Sequence, residues 1–217
     1  MEKSKSEIIM SFLKKRRSML AAKLNDPGPS KQQLDDIITA GIRVPDHGRC
    51  SPWNVKIISK EGQKKLGKFL SEIFEKNNQF EKKEQIDYWY NRPQSAPCLL
   101  VISFNPKEDN LSKIPLIEQK LSCGAFCQNI LNASHALGFS AQWLTEWPAY
   151  NTEVKKFLGY REVTKILGFI YIYSIYRCKN VKNDWDLHVF VLAWPGKGYF
   201  FALRYWLKTR DLQANTE

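Results

Sequence analysis

The sequence predicts a layered α+β protein, and three features carry that expectation. Helical and strand-like patterns follow one another in the order ααβα(α)βαβαβ. Residues 97–104, PCLLVISF, form a continuous apolar run that begins at a proline, the mark of a strand buried on both faces. Residues 114–138 form a long helix rich in small and apolar side chains, suited to a core position. Regular βα alternations are too few for an ordinary Rossmann sheet. With 217 residues and 43% hydrophobic side chains, the chain can bury one sizeable core.

The elements follow in chain order. Residues 5–16 place Ile8, Ile9, Phe12 and Leu13 at helical spacing, and a second helix over 30–41 starts at Ser30, after the breaker Asn25, Asp26, Pro27, Gly28, Pro29. A loop over 43–52 leads into residues 53–59, WNVKIIS, which alternate as a half-buried strand. A charged helix spans 61–76. Residues 77–95 are rich in Asn, Gln, Lys and Glu around Tyr88, Trp89 and Tyr90, and read as a mobile helix or excursion rather than as core, in the manner of a lid over a pocket. After the buried strand and the long helix come a short strand at 139–144, a helix at 151–158 closed by Gly159, and a fourth strand at 165–172.

Composition narrows the partners. The balance of 33 Lys+Arg against 22 Asp+Glu leaves +11 at pH 7, which favours anionic ligands such as phosphorylated cofactors. Nucleic acid is disfavoured as a partner, because the basic residues are scattered rather than gathered on one face. No apolar run reaches the roughly 20 residues needed to cross a bilayer, so no membrane is expected. The basic start of the chain has the look of a transit peptide, but Glu2 and Glu7 weaken that reading. Five cysteines, an odd number with no secretory signal ahead of them, point to a reducing cytoplasm. Cys123 and Cys127 share a helix face at a spacing that matches neither a redox pair nor a zinc knuckle, and with three histidines and no carboxylate pair at ligand spacing no metal site is assigned.

Neither GxGxxG nor GxxxxGK[ST] occurs, so a phosphate must be gripped by other means. Arg16, Arg17 and Ser18, at the end of the first helix, offer two guanidinium forks and a hydroxyl. Taken alone, such a triplet is usually a solvated helix end. The loop from Gly41 to Trp53 packs Arg43, Asp46, His47 and Arg49 between helix and strand, stiffened by Pro45 and Pro52. It reads either as a site on a rigid loop or as an ordinary turn in which Asp46 bonds its own backbone. His135, inside the long helix, reads more readily as a satisfied histidine than as a ligand.

Together these segments resemble the nitroreductase family of FMN enzymes, in the small subgroup with an R-R-S triplet, then R-x-P-D-H, then P-W. The counterparts are Arg16, Arg17 and Ser18; Arg43, Val44, Pro45, Asp46 and His47; and Pro52 and Trp53. Residues 138–147, GFSAQWLTEW, are similar to the strand and loop that pass along the flavin in that family, and the likeness runs from about residue 8 to residue 172. The resemblance implies a mostly antiparallel sheet flanked by helices and an intertwined homodimer with FMN at its interface. It implies that Arg16, Arg17 and Ser18 hold flavin from one subunit while Arg43 and His47 approach from the other, with Trp143, Leu144 and Thr145 lining the same flavin. It also implies, more weakly, a nicotinamide-binding role for Ala133, Ser134, His135, Ala136, Leu137 and Gly138. Reduced FMN carries negative charge on its phosphate and ring, which fixed cations stabilise. The flavin itself carries the chemistry, so no dedicated catalytic side chain is expected.

The expected activity is hydride transfer from NAD(P)H through FMN to a small-molecule acceptor such as a nitroaromatic or a quinone. The alternative is a flavin-binding protein with little turnover, a sensor or carrier. After residue 172 the chain departs from the family pattern: residues 173–217 form an aromatic and basic tail where the family has a Pro- and Arg-rich segment that wraps the partner subunit. The expected division is a flavin-binding domain over 1–172 and an atypical tail over 173–217.

Overall fold

Everything in the fold is arranged around one strand, Cys98–Phe104 (β2), all of whose side chains are buried. Residues of a strand alternate between its two faces. Leu99 and Val101 therefore enter one apolar cluster, and Cys98, Leu100 and Ile102 enter another on the opposite side. A strand buried on both faces needs cover on both, which makes the architecture three layers. The computed structural model describes residues 4–18, 27–78, 82–107 and 114–174.

β2 pairs antiparallel with Trp53–Ile58 (β1) on one side and with Lys165–Ser174 (β4) on the other, and β4 pairs antiparallel with Phe139–Leu144 (β3). The 4-stranded sheet thus has the order β1-β2-β4-β3, and the expected antiparallel α+β sheet between helices is what forms. Lys31–Gly41 (α2) and Leu116–Ala136 (α5) cover one face through Leu34, Ile37, Phe126 and Ile130. Lys60–Asn77 (α3), Lys83–Asn91 (α4) and Thr152–Phe157 (α6) cover the other through Leu66, Leu70, Trp89 and Val154. Each fully buried Leu or Ile contributes about 1.5–3 kcal/mol by leaving water.

The helices begin where serine and asparagine let them. Ser4 with Glu7 and Ser30 with Gln33 form reciprocal capping boxes at the starts of Lys5–Lys15 (α1) and α2. Ser59 caps α3, and Asn151 accepts two backbone N–H groups of α6. α1 differs from the rest in burying none of its residues. Its Ile8, Ile9, Met10 and Leu13 each expose half or more of their surface.

Two boundaries depart from expectation. The segment 77–95 takes the helical one of its two expected forms but joins the core: apart from residues 79–81, which lie outside the described residues, it runs from the end of α3 into α4 and a following 3-10 turn, Arg92–Gln94. Trp89 is buried, edge-on to Trp147 with centroids 5.2 Å apart and tilted against Phe74. The polar residues around Trp89 hide a contact that only the distant Trp147 completes. β4 continues to Ser174, with Tyr173 buried and the Ser174 hydroxyl donating to the Pro27 carbonyl. The remainder of the expected tail, 175–217, lies outside the described residues. Among the described residues no helix is long and apolar enough to cross a membrane.

α4 lies close enough to α3 that a Cβ on Gly67 would run into the carbonyl oxygen of Tyr90, a backbone atom that cannot swing aside. Gly67→Ala should therefore force the two helices apart and cost about 1–3 kcal/mol. Thermal unfolding checks this; an unchanged midpoint would contradict the close approach.

Candidate functional site

α5 brings the two sequence-predicted polar segments into order. Its inner face, with Cys123, Phe126, Cys127 and Ile130 completely buried, is fixed in the core. Burial pushes the Cys123 and Cys127 thiols up to about 12, so at neutral pH they stay protonated packing groups. Besides Gln119, which accepts from Lys107 N at 3.0 Å, three polar side chains of the helix reach to the segments of interest. Glu118 Oε2 lies 2.6 Å from His47 Nδ1. Asn129 Nδ2 donates to the carbonyls of Ala40, at 3.3 Å, and Arg43, at 3.0 Å, where α2 ends. His135 Nε2 lies 2.9 Å from the Arg17 carbonyl, and its Nδ1 lies 2.7 Å from the Leu131 carbonyl.

The arginine triplet begins where α1 stops. Arg17 folds back to donate to the carbonyls of Lys14 and Arg16, so it caps the exposed helix end as well as carrying charge there. Arg16 is the different member: its Nη1 is buried and has no hydrogen-bond partner among the described residues. A buried guanidinium N–H left unpaired is a costly arrangement, and an anion or carbonyl oxygen would relieve it. Ser18 is exposed beside it.

In the loop after α2, Asp46 does bond its own backbone, Oδ2 accepting from Ser51 N at 2.7 Å, while its Oδ1 is buried without a partner among the described residues. The Cys50 thiol donates to the His47 carbonyl at 3.0 Å. Burial, helped by Asp46, pushes the Cys50 thiol up, which keeps it a donor rather than a thiolate. Arg49 and Ser51 both adopt the left-handed region, at φ 51° and 47°. Non-glycine residues hold that conformation only where surroundings enforce it, and such strain clusters at functional loops. The turn reading is therefore met in the Asp46 bond, on a backbone that its surroundings hold rigidly. Arg43 and His47 project from it exposed.

The third segment is more committed than its sequence implied. Trp143 donates its indole N–H to the Leu167 carbonyl at 3.0 Å, and the Leu144 side chain sits in the core. Gly168 makes this possible: at φ 147° it adopts a conformation side chains rarely take, and a Cβ there would meet the Trp143 indole and lie 2.6 Å from the Leu144 carbonyl oxygen. Trp143 can offer a ring face, Leu144 its backbone, and Thr145, which is exposed, its hydroxyl. In the segment 133–138, Ser134 is buried and donates to the Ile130 carbonyl, and His135 is engaged as described. Ala136, Leu137 and Gly138 are the exposed part.

Next to Thr145 lies a pair the sequence did not reveal. Arg92 makes a two-pronged bond to Glu146, Nε to Oε2 at 2.9 Å and Nη2 to Oε1 at 2.8 Å, with both side chains only 10% and 13% exposed. The guanidinium also faces the Tyr88 and Tyr171 rings. Burial works against the Arg92 charge, yet Glu146 outweighs it and raises Arg92 overall. Burial, with Glu146 adding to it, pushes the Tyr88 hydroxyl up to about 12, so it remains a donor to Glu146. The pair clamps the α4 turn to the loop that follows β3. No local pattern announces it, because 54 residues separate its members. Glu118 and Asn129 were likewise hidden, as ordinary polar positions on a helix.

The structure is thus an antiparallel α+β sheet that holds the arginine triplet near the last turn of α5 and the His47 loop at its first turn. A model of the nitroreductase family matches residues 13–172. The chain is 33% identical over 167 residues to YdjA of Escherichia coli K12, provisionally named an NAD(P)H nitroreductase, covering 75% of this chain and 86% of that protein. The chain belongs to the nitroreductase family and is an oxidoreductase of that type. In fold it is similar to a nitroreductase-like protein of Bacillus cereus, with TM-score 0.64 and 23% identity over 82% of this chain and 89% of that one. It is also similar in fold to a provisional nitroreductase of Desulfovibrio desulfuricans solved in complex with FMN, with TM-score 0.58 and 17% identity over 76% and 84%.

Removing one member of the buried clamp would strand the other. Glu146→Ala should cost about 3–5 kcal/mol. Denaturant unfolding measures it, and a loss under about 1 kcal/mol would show that Arg92 finds water or another acceptor.

Proposed function

We propose that two copies of this chain form FMN sites between them and transfer hydride from NAD(P)H to small acceptors such as nitroaromatics or quinones. The observation that carries the reading is the split of the binding groups along α5. The Arg17 backbone is tied near the helix's last turn at His135, and His47 is tied to its first turn at Glu118. Those anchor points are about 25 Å apart along the axis. One chain cannot easily close both groups on one flavin, whereas a second copy across α5 brings the triplet of one to the loop of the other.

The exposed apolar surface supports the same arrangement. α1 buries nothing against its own chain, and on α5 Ile117 and Leu121 are 61% and 66% exposed. Apolar surface of this kind, on elements that carry the binding groups, marks an interface. A self-complementary contact between two copies covers it on both.

In the site so formed, Arg16 and Arg17 with Ser18 bind the phosphate; the unpartnered Arg16 Nη1 is the group that fits an added anion. Arg43 and His47 come from the other copy and stabilise negative charge on the flavin. Trp143 packs its ring against the cofactor, and Leu144 and Thr145 contribute a backbone and a hydroxyl. The exposed turn of Ala136, Leu137 and Gly138 is the part of segment 133–138 offered to the nicotinamide cofactor. When bound, FMN supplies the redox chemistry, so the protein's tasks are binding, orientation and charge. The name of the E. coli relative and the FMN complex of the Desulfovibrio protein support this cofactor pair. The flavin-binding unit in this reading extends to residue 174, two beyond the expected boundary, because β4 runs to Ser174.

Purified protein should be yellow, or become so on adding FMN, and should bleach with NADPH or NADH and recover its colour with a quinone or nitroaromatic. Colour without bleaching would indicate the carrier or sensor instead. Protein that stays colourless after reconstitution would contradict both.

A further inference from the structure

We propose that Glu118 is a positioning residue that locks the His47 ring with Nδ1 turned inward and Nε2 presented outward to the flavin, a role that rests on the FMN reading above. The backbone of the His47 loop is already held by the Asp46 carboxylate on Ser51 N and by the Cys50 thiol on the His47 carbonyl. What that leaves free is the ring: His47 is 59% exposed and would otherwise turn about its side-chain bonds. Glu118 removes that freedom with a 2.6 Å contact to Nδ1 from 71 residues away.

The chemistry of the contact also selects the proton's place. An ionised carboxylate only accepts, so the nitrogen facing it must carry hydrogen. With Nδ1–H held by the carboxylate, Nε2 accepts while the ring is neutral and donates to negative charge on a ligand when the ring carries a second proton. Nε2, which has no hydrogen-bond partner among the described residues, becomes the nitrogen that meets a ligand. Glu118 lies in the first turn of α5, where an acidic residue is favoured by the helix dipole. That alone does not account for its direction. Its side chain makes no capping bond to α5 and spends its oxygen on His47.

The test uses the full chain and two readouts. In flavin-free protein labelled with nitrogen-15, the His47 ring signals should show hydrogen on Nδ1, and Glu118→Ala should lose that single pattern. FMN titration should find Glu118→Ala about tenfold weaker than wild type, the loss of one ordered hydrogen bond. Glu118→Gln, which keeps an acceptor oxygen, should stay within about threefold. Glu118→Ala combined with His47→Ala should be no weaker than His47→Ala alone, since a positioning residue acts only through the ring it holds. Additive losses, or a wild-type ring with hydrogen on Nε2 only, would overturn the assignment. Wild type that takes up no FMN overturns the flavin reading and this role with it. Wild type that binds FMN, with Glu118→Ala binding equally well, overturns the role of Glu118 alone.

Discussion

The immobility of α5 is the constraint on which the rest depends. Its inner face is cemented by Cys123, Phe126, Cys127 and Ile130 against the α2 side of the sheet, so Glu118, Asn129 and His135 start from fixed positions. Each then adds a tie to a segment that its own local bonds hold only in part. Asn129 donates to the Arg43 carbonyl just past the end of α2 and adds a side-chain donor to the Ala40 carbonyl, which already accepts from Arg43 N. His135 reaches the Arg17 carbonyl, a rare tie between the α1 end and the rest of the chain, since α1 buries nothing. Without these bonds the basic groups would sit on an exposed helix end and an exposed loop, each spreading over many orientations at a cost in entropy on binding.

The sheet's other face carries the second fixed element. There the Arg92–Glu146 clamp and the Trp89–Trp147 contact bind α4 to the segment after β3. Both faces of β2 are thus used, one to hold the basic groups and one to hold the Trp143–Thr145 loop. Because β3 and β4 pair residue for residue from Phe139 to Leu144, Trp143 has a defined place, and Gly168 leaves room for its indole. Precision at the site comes from regular elements, while the loops supply the charged groups.

Much of this was legible in the sequence, for a physical reason. Regular elements announce themselves through spacing: the apolar run of β2, the helical positions of Ile8 and Phe12, and Ser30 at the start of α2 all came out where expected. The arginine triplet and the loop to Trp53 could be picked out as candidates because each is local, a few residues long. What could not be read were bonds between residues far apart in the chain. Glu118 and His47 are 71 residues apart, and Arg92 and Glu146 are 54 apart. Trp89 looked like part of a polar excursion because its partner, Trp147, lies on another element. Trp143 was expected as a flavin-lining residue, yet nothing local told that its N–H is already given to Leu167.

The central claim is that each flavin is gripped by two chains. Co-expressing an Arg16→Ala chain with a His47→Ala chain tests it most directly. Neither variant alone should retain FMN as the wild type does, but the mixed dimer has one site with Arg16 and His47 both intact and should recover FMN at one of its two sites. Retention in the mixture no better than in the separate variants would contradict a shared site and return the triplet and the loop to a single chain.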